Sequence, residues 1–486
     1  MKKDKTNSAK KMAMIFPDFE GLPLKYRASI APLGLTTLAA NTPEKYEIEF
    51  FDGRLETIPE NLDVDIAVIS AMTPQATNAY DLADSFLERN IKVVLGGAHP
   101  SLLPNEAIEH ADAVVVGEAE GIWEELLNDL EMGKSEKFYI CEHKPDLTGL
   151  PRPRYDILND NNYLPIRSIQ ITRGCPLNCE YCAVPKNFGK KYRIRSIEEV
   201  VADLEALPPH VYFVDDNILL KKRNFSELFR LMSTMDKEWT GMAPLNIAAD
   251  KDYVKLIKQS GCWSIYVDIG PSVSFGLKKE ITSYNGMVER SLEYIKTLQD
   301  SGIKVMGSFI FGFDYDDESI FDNTLEFLEK SKVVEPEFLI LTPYPKTPLF
   351  DKLEAKGRIF DRDWSHYNTT HAVFVPEKMS PERLEEGVHY LWEEFYGRMN
   401  PVEERLGANS DVESIHKKLL SSIPNLFRDR THAFVVEGIP EMVGEKSVQQ
   451  ITEDELIRLW LKNPPAIKKI VEDVITDLGY GHYLDD

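Results

Sequence analysis

Short apolar runs alternate with amphipathic stretches over the first 130 or so residues. Five runs read as strands: 12–16, 46–51, 66–70, 92–95 and 113–116. Between them, 33–40 and 78–89 carry apolar residues at helical spacing, and a further helix follows Gly121. Strands joined by crossover helices imply an open parallel sheet with right-handed connections. Ligands on such sheets sit beyond the carboxyl ends of the strands. The loops there are 16–32, Asp52-Gly53-Arg54, Ala71-Met72-Thr73-Pro74, Gly96-Gly97-Ala98-His99-Pro100 and Gly117-Glu118. Their glycines permit close backbone approach to a ligand.

Residues 141–165 are rich in Pro, Asp and Asn and read as a linker. A second α/β series follows, with strands at 167–172, 211–214, 265–267, 305–311 and 338–341 and helices at 196–206 and 287–299. It suggests a barrel or partial barrel, whose chemistry belongs at the strand C-termini. From about 375 the pattern turns helical. Ser380-Pro381 is a good helix start, and Leu384, Val388, Leu391, Trp392 and Phe395 form one apolar stripe. Thr452 and Glu455 make a capping box, and a last helix runs from Pro465 to Gly479.

A chain of 486 residues is too long for one ordinary core. Its net charge of −24 repels phosphate backbones and disfavours a nucleic-acid partner. No apolar run approaches the ~18 residues needed to span a membrane. The basic start (Lys2, Lys3, Lys5, Lys10, Lys11) has no apolar run after it and reads as a frayed tail, not a secretory signal. Five cysteines, three of them in one loop, suit a reducing cytoplasm; Cys141 and Cys262 read as isolated, partly buried thiols.

That loop is Ile-Thr-Arg-Gly-Cys-Pro-Leu-Asn-Cys-Glu-Tyr-Cys, with Cys175, Cys179 and Cys182 spaced C-x3-C-x2-C. Three thiolates can hold three irons of a [4Fe–4S] cube and leave the fourth open to a small molecule, whereas an electron-carrying cluster usually has four cysteines. The competing reading is zinc, but a closed zinc site wants four ligands, and neither a second Cys pair nor a nearby His is present.

The cysteine loop resembles the signature of the radical S-adenosylmethionine (SAM) superfamily, with Tyr181 in its aromatic place. Phe213-Val214-Asp215-Asp216-Asn217, Gly307–Asp314 and Pro343–Leu349 resemble the superfamily's later strand motifs. Pro32-Leu33-Gly34-Leu35, Gly96-Gly97-Ala98-His99-Pro100 and Gly117-Glu118-Ala119-Glu120 are similar to the B12-binding domain often fused ahead of that barrel. The resemblance implies a flavodoxin/Rossmann-like parallel sheet of B12-binding type (1–140), a linker (141–165), a partial (β/α)6 TIM-like radical SAM barrel (166–375) and a helical C-terminal domain (376–486). One departure is Arg54, which stands where mutase-type B12 motifs have a cobalt-ligating His. Another is the run Tyr266–Pro271, where relatives usually carry a Gly-Ile-Glu-Ser-like segment.

The resemblance implies a cobalamin-dependent radical SAM C-methyltransferase. Cys175, Cys179 and Cys182 would ligate the cluster. Tyr181, Asp215, Asp216, Asn217, Gly307 and Gly312 would surround SAM, though a solvated turn also accounts for the Asp-Asp-Asn run. Asp52, Gly53, Arg54, Thr73, Gly96, Gly97, His99, Gly117 and Glu118 would surround cobalamin; His99 reads equally as an ordinary turn histidine. SAM cleaved by one electron would give a 5′-deoxyadenosyl radical, and methylcobalamin would give its methyl to the substrate radical. Expected partners are a ferredoxin- or flavodoxin-like reductant and a substrate that is either a protein side chain (for example in methyl-coenzyme M reductase) or a small molecule. Tyr344, Trp364, His366 and Tyr367 lie where substrate often enters, or else pack the rim. The acidic run Asp314, Asp316, Asp317, Glu318 caps a helix. The rivals are a B12-dependent cyclase or ring-rearranging enzyme and a corrinoid sensor or carrier without catalysis. A tRNA methylthiotransferase is set aside because the N-terminal half has only Cys141.

Overall fold

The computed structural model describes residues 10–19, 30–159, 163, 166–218, 222–269, 286–333 and 335–397. The capping box at Thr452, the helix from Pro465 and most of the basic tail lie outside these residues.

The first sheet is all parallel, in the order β2 (Tyr46–Asp52), β1 (Lys10–Phe16), β3 (Ile66–Ser70), β4 (Lys92–Gly96), β5 (Ala113–Val116) and β6 (Phe138–Ile140). Both faces are covered, which is why β3, β4 and β5 and most of β1 read as apolar runs; the edge strand β2 alternates, with Glu47 and Glu49 exposed. Ala13, Ile15, Ala67, Ile69, Val93 and Leu95 pack with Ala79, Ala83 and Phe86 of helix Ala76–Glu88. Met12, Met14, Val68, Val94 and Val115 pack on the other face with Leu35, Trp123 and Leu127. Two expectations are corrected here. Lys10 and Lys11 are not tail but the first residues of β1, where they reach Glu131 (3.9 Å) and Asp63 (3.3 Å). β6 is an added edge strand, too short at three residues to show a period.

The second sheet runs in chain order: β7 (Arg167–Ile169), β10 (His210–Phe213), β11 (Glu238–Met242), β12 (Cys262–Asp268), β13 (Lys304–Phe311) and β14 (Glu335–Ile340). All are parallel, the arrangement of a six-stranded partial barrel. Between β7 and β10, Thr172–Arg173 (β8) pairs antiparallel with Arg193–Ile194 (β9). β11 escapes a reading by pattern because it is short and carries Gly241, whose missing Cβ makes room for Phe213.

Burial alternates along the barrel strands. One face lies under the helices, with Phe213, Trp239, Ile265, Phe309, Phe311 and Phe338 buried there. The inner face carries Tyr212, Thr240, Tyr266, Ser308 and Glu337, and the Tyr266 hydroxyl donates to Glu337 Oε2. Helix Pro381–Trp392 buries Leu384, Val388 and Leu391, as its stripe predicts.

By contacts, both sheets belong to one compact unit, which runs through Leu391 apart from 23–31 and 159–166; those two segments and Trp392–Asp486 form a second. In the described part of the second unit, Trp392 stacks on Tyr396 (centroids 5.1 Å apart) of the short π-helical stretch Glu393–Gly397. Among the described residues, no helix is long and apolar enough to cross a membrane.

Candidate active site

The cysteines hang from β8 and β9 as a loop closed at its base. Gly174 opens it at φ 87°, and a Cβ there would run into the Lys191 carbonyl oxygen, so only glycine fits. The Cys175 N–H donates to Gly189 O (3.1 Å) and the Cys182 N–H to Cys179 O (3.2 Å). Cys175 is buried, Cys182 half-buried and Cys179 exposed. Burial, then the neighbouring Cys179, Asp216 and Cys175, push the Cys182 thiol up to about 11. Burial and Cys175 likewise raise Cys179. The raised Cys179 and Cys182 thiols, in one loop with Cys175, are a donor set whose ionisation the positive charge of a cluster core would favour, so the residues fit an iron–sulfur group. Among the described residues, no three His, Cys, Asp or Glu side chains converge on a single ion. Replacing Gly174 with alanine should cost about 2 kcal/mol or more through the left-handed backbone and the clash, and iron content after reconstitution should fall with it.

The three residues of the Asp-Asp-Asn run have different surroundings. Asp215 is 2% exposed, and its carboxylate accepts from the Ile171 N–H (3.1 Å), the Thr172 N–H and Thr172 Oγ1 (2.5 Å). It fastens the end of β10 to the base of the cysteine loop. Burial pushes its carboxyl up to about 7, against the pull of these donors. Asp216 lines the cavity described next, and burial raises it to about 6. Asn217 keeps a buried Oδ1 with no hydrogen-bond partner, while its carbonyl accepts from Tyr192 (2.8 Å). Tyr181 donates its hydroxyl to Asp268 Oδ2 (3.0 Å) at the end of β12.

A cavity of about 510 Å³ opens at the carboxyl ends of β3, β4 and β5. Gly96, Gly97, Gly117 and Glu118 line it, joined by Leu33 and Leu38 from the helix after β1. Its far wall is Gln170, Arg173, Val214 and Asp216 from the barrel, with Asn187 and Phe188 from the cysteine loop. Gly97 (φ 96°) lies against the Ala71 backbone, where a Cβ would come within 2.7 Å of the Ala71 oxygen. Ser101 braces two of the glycine loops: its hydroxyl donates to Gly97 O (2.7 Å) and accepts from the Gly117 N–H (2.9 Å).

The remaining cobalamin candidates are not among the cavity-lining residues. Asp52 and Arg54 pair with each other (2.6 Å) at the end of β2, an edge strand, and Arg54 covers the Phe16 ring. Gly53 is there for packing, since a Cβ would meet Asp18 N at 2.8 Å. Thr73 is buried in the turn after β3. His99 is fully buried away from the cavity, against Glu106 (3.2 Å) and edge-on to Trp364 (5.3 Å). Trp364 also donates to Glu106 (2.9 Å), so its surroundings are those of a packed rim. Gly307 and Gly312 meet packed side chains, Gly307 facing Ile269 and Val333 and Gly312 facing Leu384. In the acidic run, Asp316 accepts from the N–H groups of Gly312 and Phe313 (3.0 Å each), and Asp314 pairs with Arg358 (2.7 Å). These two brace a turn, while Asp317 accepts from the Ser319 N–H (3.2 Å) at the helix start.

Pattern reasoning missed Glu118's partners. The carboxylate is 4% exposed and accepts from Arg173 (2.8 Å) and Arg193 (2.6 Å), one arginine from each strand at the loop base; Arg173 also pairs with Glu120 (2.6 Å). Two arginines placed opposite each other in a short hairpin were the available signal.

A radical SAM superfamily model matches residues 169–328, and a B12 binding domain model matches 24–127. Bacteriochlorophyllide d C-12(1)-methyltransferase of Chlorobaculum tepidum is 30% identical over 378 residues, 75% of this chain and 82% of its own. The chain belongs to the cobalamin-dependent radical SAM methyltransferase family. The methyltransferase thus has a [4Fe–4S] cluster, SAM and cobalamin as cofactors. The solved structure of TsrM, a radical SAM methyltransferase from Kitasatospora setae with cobalamin and a [4Fe-4S] cluster bound, covers 87% of this methyltransferase and 98% of its own chain. Its TM-score of 0.58 at 15% identity is a likeness of fold. The anaerobic magnesium-protoporphyrin IX monomethyl ester cyclase of Cereibacter sphaeroides is more distant, at 24% identity over 69% of this methyltransferase and 60% of its own chain.

Proposed function

We propose that the enzyme adds a methyl group to an unactivated carbon of a substrate held between the cavity and the inner face of the barrel. The observation that carries this reading is the shared wall: Asp216 from the barrel and Asn187 and Phe188 from the cysteine loop line the same cavity as the glycine loops of the first sheet. A substrate there would lie within reach of both halves of the site. Cys175, Cys179 and Cys182 would hold the cluster. Asp216, the unpartnered Asn217 Oδ1 and Tyr181 would surround SAM, and the glycine loops Gly96-Gly97 and Gly117 would cradle cobalamin. When bound, these groups supply homolytic cleavage of SAM and a transferable methyl group.

The protein's own part is positioning and exclusion of water. Asp215 and the Glu118 clasp hold the loop base. Gly307 and Gly312 act as packing positions for the helical layer. The inner barrel face bears on the substrate: the hydroxyls of Thr240 and Ser264 are buried with no hydrogen-bond partner, beside Tyr212, Tyr266 and Glu337. A substrate group with hydrogen-bond donors fits that lining better than bare hydrocarbon. The bacteriochlorophyllide d in the name of the Chlorobaculum tepidum relative supports a small-molecule substrate over a protein side chain.

The test is anaerobic enzyme with cluster and cobalamin restored, given SAM, a ferredoxin- or flavodoxin-type reductant and candidate substrates. Product heavier by one CH2, with the methyl traced from labelled SAM, is the expected result. SAM cleavage with a substrate altered but unmethylated would replace methylation by the cyclase reading.

A further inference from the structure

The loop that carries the cysteines is also a wall of the cavity. Asn187 and Phe188, on its C-terminal arm, line it. One side-chain hydrogen bond ties each of their carbonyls to the rest of the protein: Lys144 Nζ donates to Asn187 O (2.5 Å) and Arg193 to Phe188 O (3.1 Å). The Asn187 side chain is different, because its Oδ1 is buried and has no hydrogen-bond partner. A buried amide oxygen left unpaired costs about 1–3 kcal/mol, and Asn187 itself is half-buried on the cavity wall, so a turn of its side chain would offer that oxygen to a donor arriving with a ligand. Across the cavity, Glu118 holds both Arg173 and Arg193, the two strands from which the same loop hangs.

We propose that the cluster loop forms part of the cobalamin site, with Asn187 Oδ1 accepting an N–H from one of the primary amides that fringe a corrin ring, so that cluster assembly and cobalamin binding are coupled. The proposal rests on the cavity being the cobalamin site. Its physical basis is ordering. Three thiolates gripped by a cluster fix the loop, and Asn187 and Phe188 with it. Without the cluster, the loop is held by a two-residue strand pair, Asp215, the arginine clasp and the two carbonyl contacts at Asn187 and Phe188, and a binding corrin must itself order the rest of the loop and the Asn187 side chain. Linkage makes the effect reciprocal: cobalamin must favour cluster retention by the same factor.

The experiment titrates hydroxocobalamin, under anaerobic conditions, into the full chain in four forms: cluster-loaded wild type, cluster-free wild type, Cys179→Ala, and cluster-loaded Asn187→Ala. Affinity is read by quenching of tryptophan fluorescence and checked by equilibrium dialysis. Cluster-free wild type and Cys179→Ala are expected to bind about tenfold more weakly than loaded wild type, within the usual range of coupling between sites. Asn187→Ala should weaken binding severalfold while keeping its iron–sulfur absorption and a melting temperature no lower than that of wild type. Equal affinity in the loaded and cluster-free forms overturns the coupling alone. Unchanged affinity in Asn187→Ala overturns the amide contact. Absence of binding in every form overturns the cobalamin reading of the cavity and this proposal together.

Discussion

The Cys179→Ala variant is expected to lose reductive SAM cleavage completely and to emerge from reconstitution without the broad iron–sulfur absorption. The expectation is steep because no spare ligand stands by. The spacing gives one sulfur to each of three irons, and Cys141 and Cys262 belong elsewhere: Cys141 donates to His143 O (3.4 Å), and Cys262 is fully buried at the start of β12. Cys262→Ala is the matched control. It should cost about 1 kcal/mol of stability from a small cavity and keep its iron. If Cys179→Ala still cleaves SAM, the three-sulfur reading fails.

Asp215 and Asp216 are expected to part company on mutation, although they are chemically identical neighbours. Asp215→Ala strands two backbone N–H groups and the Thr172 hydroxyl in a buried place, which should cost about 2–5 kcal/mol. Asp215→Asn should cost much less, because all three donors meet Oδ1, which an amide oxygen can replace, while Oδ2 only shares the Ile171 N–H. Asp216→Asn, at the cavity wall, should stay within about 0.5 kcal/mol of wild type yet lower SAM turnover. Urea denaturation of the cluster-free chains measures the first effect, and SAM cleavage by the loaded Asp216→Asn enzyme measures the second. A stable Asp215→Ala protein that loads iron normally would show that the latch does not hold the loop.

These two aspartates illustrate how far the chain can be read by pattern. The run Asp215-Asp216-Asn217 is visible as chemistry at a strand end, but its division of labour is not. Which carboxylate turns toward Ile171 and Thr172, and which toward the cavity, depends on how β10 lies beside β7. Glu118 is similar. Its place after β5 was legible, whereas its two arginine partners, 55 and 75 residues further along, were not.

Sequence alone determined whatever is local or periodic. The apolar runs of β1, β3, β4 and β5 are visible because both faces of that sheet are buried there, and β2 by the alternation of an edge strand. The cysteine loop is visible because all three sulfurs and the tight glycine before them lie within one short segment. The cavity was decided only in three dimensions. Its walls draw on residues from Leu33 to Asp216, and the order β2-β1-β3 puts β2 at the edge, so Asp52 and Arg54 pair with each other away from the cavity. Strand order, and the direction in which each loop side chain turns, come from long-range packing that no single stretch of chain encodes.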